Sequence, residues 1–565
     1  MSAFDDERPE EERERVLANS AVMAVGTVFS RASGFIRSAL LVAALGASLH
    51  ADLFNIANTI PNMLYILLAG GVVNAVLVPQ LVRTMKQDAD GGEAYANRII
   101  TLAGLFLGVV TVLLVVAAPW VMSVFLDSAF GRPCLSAQRD SIIDFARLCL
   151  PQVFFYGMYV LIGQVLNARG RFGPMMWAPI ANNAISIAVL VVYLFVFGPA
   201  RGAEVFGSFT SGQELLLGLG ATVGIAAQFA ILVPYLRATG FHYRPRFDFV
   251  GTGLGRTLQL GVWTVLFVIV NQIAYTVVVR LASGGTAAIA CDGVHASGAT
   301  GYTVYSNTFL IIMVPHSIIT VSLATAILPR LAARAADGDL AAVARSLSST
   351  LRSALALVVP FAALLPVVAT DAAHLLWGYG AGRDDYDLFA PPLSLFGIGL
   401  VFFTVHYLML RGFYALERNA QVFWIQCVVG VVNIAVAVTL VHGVDELGTA
   451  SALVLAYAAA YLVGATLSYL MLSRRVGGLE AAALLRFLLR LAVATAAAVA
   501  AAGGSAYLLH QIVGDDSWWA AAVTLVLAGA AGGLVLVGAA RALRLSELTS
   551  IVDTIARRLP LPRRR

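Results

Sequence analysis

"VFSRASGFIRSALL", Val28 to Leu41, decides how this chain is read, because two arginines stand inside a stretch that otherwise has the apolar length of a membrane helix. A guanidinium at mid-bilayer costs roughly 2.5 to 3.5 kcal/mol on insertion scales, so Arg31 and Arg37 need a polar or wet surface beside them. At about 100° per residue, Ser30, Arg31, Ser33, Gly34, Arg37 and Ser38 fall within roughly 160° of one another. Val28, Phe29, Ala32, Phe35, Ile36, Ala39 and Leu40 take the other side. The helix thus has an apolar face for lipid or packing and a small, cationic face. Ser30, Gly34 and Ser38 recur at every fourth position, which lets another backbone or a ligand come close. Arg37 is near enough to the end of the span to snorkel outward. Arg31 sits near the middle, which favours a water-filled cavity lined by the two arginines.

The rest of the chain agrees with a membrane setting. Of its 565 residues 59% are hydrophobic and only 12% charged, and the mean hydropathy is +0.83, values that exclude an ordinary soluble domain. Apolar runs long enough to cross about 30 Å of hydrocarbon number about fourteen, which predicts an all-α polytopic protein. Among them are Asn19 to Gly46, Ala51 to Leu81, Ile142 to Leu166, Tyr302 to Leu331 and Leu351 to Ala369. The opening "MSAFDDERPEEERERVLANS" is acidic and polar, reads as a cytosolic extension, and has no cleavable-signal pattern. The 37 basic residues against 32 acidic ones speak for topology and lipid contact, with no nucleic-acid partner. Four cysteines without a CxxC pair argue against a metal or redox centre.

Arginine chooses the side. Connections after even-numbered spans hold Arg83, Lys86 and Arg98, then Arg169 and Arg171, Arg237 to Arg256, Arg330 and Arg334, Arg474 and Arg475, and the "RRLPLPRRR" end. Those after odd-numbered spans hold acids such as Asp371, Asp384, Asp445 and Asp515. Both termini are therefore expected in the cytosol. Cys134 and Cys291 then fall in outward loops, Cys149 and Cys427 within spans. Two outward cysteines in an oxidising compartment suit either a disulfide or a pair of free surface thiols.

An internal repeat is legible. Asn58-Thr59 followed by "VPQL" at Val78 to Leu81 reappears as Asn307-Thr308 followed by "LPRL" at Leu328 to Leu331. Ala168, Arg171 and Trp177 reappear as Ala415, Arg418 and Trp424 with identical internal spacing. Both offsets are about 250 residues, or six spans, which relates two like-oriented halves by an axis along the membrane normal. The expected organisation is a polar tail at 1–18, a six-helix bundle at 19–240, a second at 250–475, two extra helices at 484–541 and a basic cytosolic tail at 542–565. The two bundles would face a central cavity.

In the second span, "ADLFNIANTIPNMLYILLAGGVVNAVLVPQL", Asp52, Asn55 and Asn62 recur at helical spacings, and Pro61 and Gly70-Gly71 interrupt regular hydrogen bonding. Such interruptions are tolerated in hydrocarbon only where protein or water satisfies the freed backbone, which predicts a bent helix beside the arginine face. His406 in "FFTVHYLML" is read as facing a neighbouring helix. No Walker A, GxSxG or HExxH sequence and no paired intramembrane carboxylates occur, so transport without a catalytic site and without a cofactor is expected.

"FSRASGFIRSALLVAALGASLHADLFNIANTIPNMLY", with "VPQL", "ILPRL" (Ile327 to Leu331) and "RGFYALERNAQ" (Arg411 to Gln421), resembles the MurJ/MviN family of lipid II flippases over essentially the whole chain. That family shares a superfamily with multidrug exporters and polysaccharide flippases. The resemblance implies alternating-access movement of undecaprenyl-pyrophosphate-linked peptidoglycan precursor to the outer leaflet of the bacterial plasma membrane, with lipid II and membrane lipids as partners beside cell-wall synthesis proteins. It also implies that Ser30, Arg31 and Arg37 line the cavity and hold the pyrophosphate, and that Leu485 to Ala540 forms a groove for the lipid tail. Two further cavity arginines of the family fall at Tyr65 and, on alignment to Pro315, Leu310, and the acid often found at Gly70 is missing. The alternatives are an exporter of another polyprenyl-linked glycan or amphipathic molecule, or a cell-wall scaffold that has lost flipping.

Overall fold

The computed structural model describes residues 8–67, 92–248, 254–291, 299–444, 448–514 and 517–558. Every extended element among them is helical, and thirteen segments are long and apolar enough to cross a bilayer. The expected second span is described only as far as residue 67. Gly70-Gly71, "VPQL", Arg83, Lys86, Asp445, Asp515 and most of the final basic run lie outside the described residues.

The chain divides into two compact units, Met1–Gln272 and Ile273–Arg565. The first holds α1 (Arg8–Leu45), α2 (Leu49–Ile66), α3 (Glu93–Val116), α4 (Ala118–Phe125), α5 (Ser136–Cys149), α6 (Gln152–Ala168), α7 (Gly173–Val196), α8 (Ser211–Ala238) and the start of α9 (Leu254–Ala290). Its core gathers Ile99 and Leu107 of α3, Val160, Val165 and Leu166 of α6, Leu232 of α8 and Phe241. Helix α8 begins with a reciprocal cap: the Gln213 backbone N–H donates to Thr210 Oγ1 (3.4 Å) and the Thr210 N–H donates to Gln213 Oε1 (2.8 Å). Along α8, Gly218, Gly220 and Gly224 stand where any Cβ would run into Leu148, Val189 and Asn182. Without a hydrophobic drive between helices in lipid, such close approach is what holds them. After α8 the chain crosses back over α3: the Arg244 N–H donates to Asn97 Oδ1 (2.9 Å), the Arg246 N–H to Thr101 Oγ1 (3.2 Å), and Arg98 Nε to Asp248 Oδ2 (2.8 Å).

The second unit holds the rest of α9, then α10 (Tyr302–Pro315), α11 (Ser322–Ala336), α12 (Leu340–Trp377), α13 (Ala390–Ala415), α14 (Asn419–Val441), α15 (Thr449–Arg475), α16 (Ala481–Val513), α17 (Trp518–Ala542) and α18 (Ser546–Arg558). Tyr305, Phe309, Phe396, Phe403, Tyr457 and Tyr461 interlock with ring centroids 4.6 to 6.4 Å apart, the offset and edge-on contacts that aromatic quadrupoles favour. Between α16 and α17 the contact is made by small residues. Ala494, Ala498, Ala502 and Ala506 are buried at every fourth position, and a Cβ at Gly532 would lie 3.1 Å from Ala502 Cβ and 3.2 Å from the Ala498 carbonyl oxygen.

Several boundaries differ from those read in the sequence. Helix α1 starts at Arg8, inside the segment read as a polar tail, because "EEERER" is built of strong helix formers and Pro9 lies in the first turn, where its missing N–H costs nothing. The span Ile142 to Leu166 is two helices. Pro151 has no N–H to continue the ladder, and tight turns (Val153 N–H to Leu150 O, 3.0 Å; Phe154 N–H to Pro151 O, 3.2 Å) replace it. The eighth span passes from α10 through a π-helical turn, His316–Val321, that follows Pro315. Helix α12 extends well beyond Leu351 to Ala369 at both ends, started by Asp339 accepting from the Ala342 N–H (2.8 Å). The two compact units divide within α9: Gln272 donates to the Met63 carbonyl, and Tyr275 and Tyr302 share a 2.8 Å hydroxyl contact. The stretch read as a basic tail contains α18.

Gly532→Val is expected to lower the stability of the detergent-solubilised protein by about 1 to 3 kcal/mol. Gly533→Val, whose Cβ meets nothing within 4 Å, should leave the melting temperature near the wild-type value.

Candidate functional site: the cationic face of the first helix

Helix α1 lays its small, polar side against α7. Asn183 Nδ2 donates to the Ser30 carbonyl (3.0 Å) and to Ser33 Oγ (2.9 Å), and Ser33 Oγ donates to the same Ser30 carbonyl (3.0 Å). A Cβ on Gly34 would stand 3.9 Å from Asn183 Nδ2, an ordinary contact. One turn further back, Trp177 lies over Gly26 and stacks on Phe29 with centroids 6.4 Å apart. The apolar side of α1 faces outward, with Val28, Phe29 and Ile36 exposed.

The two arginines differ. Arg31 is exposed and Arg37 half-buried, and the Arg37 guanidinium lies within electrostatic reach of the Tyr156 phenol on α6. Tyr156 is packed on Tyr65 of α2, ring centroids 4.8 Å apart. Arg37, Tyr156 and Tyr65 therefore form a run of donors on three helices. Tyr65, an uncharged departure in the sequence reading, belongs to this cluster. Tyr156 was not legible as a site residue: within "PQVFFYGMYV" it is one aromatic among several. Asn183 carried a weak signal, an amide pair shortly after Pro179 in an otherwise apolar run.

On α2, Asn55 and Asn62 lie roughly 20° apart about the helix axis. Asn62 is exposed and Asn55 half-buried, and the Asn55 carbonyl accepts from Thr59 Oγ1 at 2.8 Å. Asp52 is fully buried in the first turn, where an acid complements the positive end of the helix. It does not share the surface that Arg31 reaches. Gln152 donates to Asn58 Oδ1 (2.9 Å) and so ties α6 to α2 just above the tyrosine pair.

In the second unit the repeat has a structural counterpart. Thr308 Oγ1 donates to the Val304 carbonyl (2.8 Å), as Thr59 does to Asn55, and both precede a proline. Side chains that bond back to the preceding turn bend helices. Leu310 is half-buried. His316 stacks on Phe403 (4.3 Å), Thr320 and Thr404 share a 3.2 Å hydroxyl contact, and His406 faces Ser468 on α15 (3.2 Å). Among the described residues, no group of three or more histidine, cysteine, aspartate or glutamate side chains is placed to hold a metal ion. Cys134, in the turn Pro133–Leu135, and Cys291, directly after α9, are each disulfide-bonded. Cys149 and Cys427 are free.

A family model described as lipid II flippase MurJ matches residues 41–519. Among similar proteins, the probable lipid II flippase MurJ of Rhizobium meliloti is 26% identical over 450 residues, 79% of each chain. The lipid II flippase MurJ of Burkholderia cenocepacia is 27% identical over 395 residues, 69% of this chain and 71% of its own. Of solved structures, a lipid II flippase MurJ in an inward closed conformation aligns with a TM-score of 0.68 at 14% identity, covering 93% of this chain and 99% of that one. An inward-facing multidrug resistance MATE family transporter of the MOP superfamily aligns at 0.59 and 15% identity, covering 80% and 95%.

Asn183→Ala is expected to lower stability by about 1 kcal/mol, the worth of one or two interhelical hydrogen bonds in a bilayer. Asn183→Asp should cost more, because a carboxylate of the same shape cannot donate to the Ser30 carbonyl. Thermal melting of the purified protein checks both.

Proposed function

The chain belongs to the MurJ family of lipid II flippases, and on that premise we propose that it carries the pyrophosphate-linked peptidoglycan precursor lipid II across the bacterial plasma membrane by alternating access, with both termini cytosolic. The observation that carries this reading is the exposed Arg31 and half-buried Arg37 on one face of α1, with the Tyr156–Tyr65 pair beside Arg37. Pyrophosphate is a doubly anionic group with oxygens spread over two centres, and guanidinium forks meet such groups with two parallel hydrogen bonds each. Arg31 meets the pyrophosphate first and Arg37 holds it deeper. The phenols of Tyr156 and Tyr65 add uncharged donors where relatives of this sequence pattern carry another cation. Gly34 lets Asn183 of α7 pack close to α1, and Ser30, Asn55 and Asn62 continue the polar lining. Ionic attraction in a low-dielectric surrounding is strong while water is excluded and weakens when water enters. Opening to the far side therefore releases the headgroup without a chemical step.

The arginine asymmetry between alternate loops supports cytosolic termini. It places Cys134 and Cys291 outside, in an oxidising compartment, and their bonded state beside two free cysteines supports a bond that joins them to each other. Such a bond closes a loop of about 157 residues, which restricts the unfolded chain strongly.

Arg31→Ala or Arg37→Ala is expected to abolish complementation of a flippase-depleted strain at normal protein abundance. Arg→Lys should rescue poorly, because an ammonium lacks the planar fork. Tyr156→Phe, which keeps the ring packing and removes the donor, should reduce lipid II translocation severalfold. Full complementation by both alanine variants would remove the arginines from the site.

Mass spectrometry of non-reduced peptides should recover Cys134 and Cys291 in one linked species. Alkylation of both without reductant would rule out the bond.

A further inference from the structure

In the second unit, the first turns of α16, the junction of α17 with α18 and the flank of α12 border an open cavity of about 320 Å³ lined by Arg352, Arg486, Phe487, Arg490, Arg544 and Glu547. Arg352 is committed to the protein: Nη1 lies 3.3 Å from Glu480 Oε2 and Nε 3.2 Å from Glu547 Oε1, with the side chain 18% exposed. Arg486, Arg490 and Arg544 are exposed, and no carboxylate among the described residues lies within ion-pair distance of any of them. Glu480 and Glu547 together face Arg352, and the three further guanidiniums leave the wall with an excess of positive charge, which an entering anion would offset.

The backbone adds an independent observation. Arg544 sits at φ +55 in the turn between α17 and α18, a left-handed conformation that glycine adopts without strain and that costs an arginine on the order of 1 kcal/mol. The turn is fixed by hydrogen bonds from the Arg544 N–H to the Arg541 carbonyl (3.3 Å) and from the Leu545 N–H to the Ala540 carbonyl (2.8 Å). The strain keeps a guanidinium at a position where glycine would be cheaper.

The neighbourhood identifies the source of the anion. Leu485, Leu489 and Val493 form a stripe along α16 that is 59 to 61% exposed and lies about 100° round the helix from Arg486 and Arg490. An apolar stripe of this kind in a membrane-spanning helix faces acyl chains. Leu545, just before α18, and Leu548 within it are buried beside the cavity, while Glu547 in the first turn of α18 faces Arg352 (3.2 Å), an amphipathic arrangement of the kind found in helices at the bilayer interface. A soluble phosphate would use the arginines and leave the stripe unused. A phospholipid uses both.

We propose that this cavity binds the phosphate of an anionic bilayer phospholipid, held by Arg486, Arg490 and Arg544, with its acyl chains along Leu485, Leu489 and Val493. Basic pockets between membrane helices at the arginine-rich side suit such headgroups, at a contribution of about 1 kcal/mol per arginine near the surface. The site uses no residue of α1, and its occupancy stands whether or not the cargo is lipid II.

The test is native mass spectrometry of the full-length protein titrated with phosphatidylglycerol, phosphatidylcholine and inorganic phosphate. Phosphatidylglycerol should be retained at concentrations where phosphatidylcholine is lost, and millimolar inorganic phosphate should not displace it. The triple variant R486Q/R490Q/R544Q should weaken the tightest-held phosphatidylglycerol roughly a hundredfold, and the corresponding triple lysine variant should stay within a few-fold of wild type. If the triple glutamine variant does not fold, Arg490→Gln alone should show a loss of about fivefold. Equal retention of phosphatidylcholine would overturn the proposal. So would unchanged phosphatidylglycerol affinity in a folded glutamine variant, or displacement by inorganic phosphate, which would assign the cavity to a soluble anion.

Discussion

Hydrocarbon offers a polar group nothing to bind, and each departure of this chain from a plain bundle of helices is found where protein supplies what lipid cannot. Pro315 removes one donor from the eighth span, and the π-helical turn that follows is packed under His316 on Phe403 and the threonine pair Thr320 and Thr404. Pro151 ends one helix and the tight turns of Val153 and Phe154 begin the next. On α1 the Ser30 carbonyl, already used by the helix, also takes donors from Asn183 and Ser33. The same constraint governs the guanidiniums. Arg31 reaches an exposed surface, and Arg37 is half-buried beside a phenol.

The sequence made the helices legible because twenty apolar residues in a row have one stable solution in a bilayer. Arginine asymmetry and the repeat of Asn58-Thr59 in Asn307-Thr308 were legible for the same reason, since both are chemical choices that composition alone would not make. Local hydrogen bonding was harder to read. The break at Pro151 fell inside an unbroken apolar run, and α1 begins eleven residues before Asn19 because helix propensity in "EEERER" carries through charged residues that hydropathy reads as tail. Helix α18 went unread because its apolar residues are few and recur at helical spacing among charges, too weakly for a span. At the candidate site the arginines announced themselves by cost. Tyr156 did not, since an aromatic residue among aromatics becomes a site residue only once Arg37 and Tyr65 are brought beside it.

In the flippase reading, a phenol at Tyr65 in place of a further guanidinium changes the energetics of an empty site more than its geometry. Each added guanidinium raises the repulsion among those already present and raises the desolvation cost of closing over them. A phenol donates a hydrogen bond without adding to either term. In the flippase reading, this lowers the free energy of the unloaded conformations and holds the pyrophosphate less tightly, which lets it leave on the far side. Tyr65 packs on Tyr156, so the ring is held even when nothing is bound.

The segment that crosses from α8 back over α3 bears on how the first unit comes to be assembled. Its backbone donors, Arg244 and Arg246, find acceptors on Asn97 and Thr101, and the separation of 147 residues between Arg244 and Asn97 spans more than half of the unit. During synthesis those acceptors exist long before their partners do. Asn97 and Thr101 can take these donors only once the intervening helices have been made. The crossing segment is therefore a latch that can close only after α3 to α8 have all been made, over a core those helices share without it.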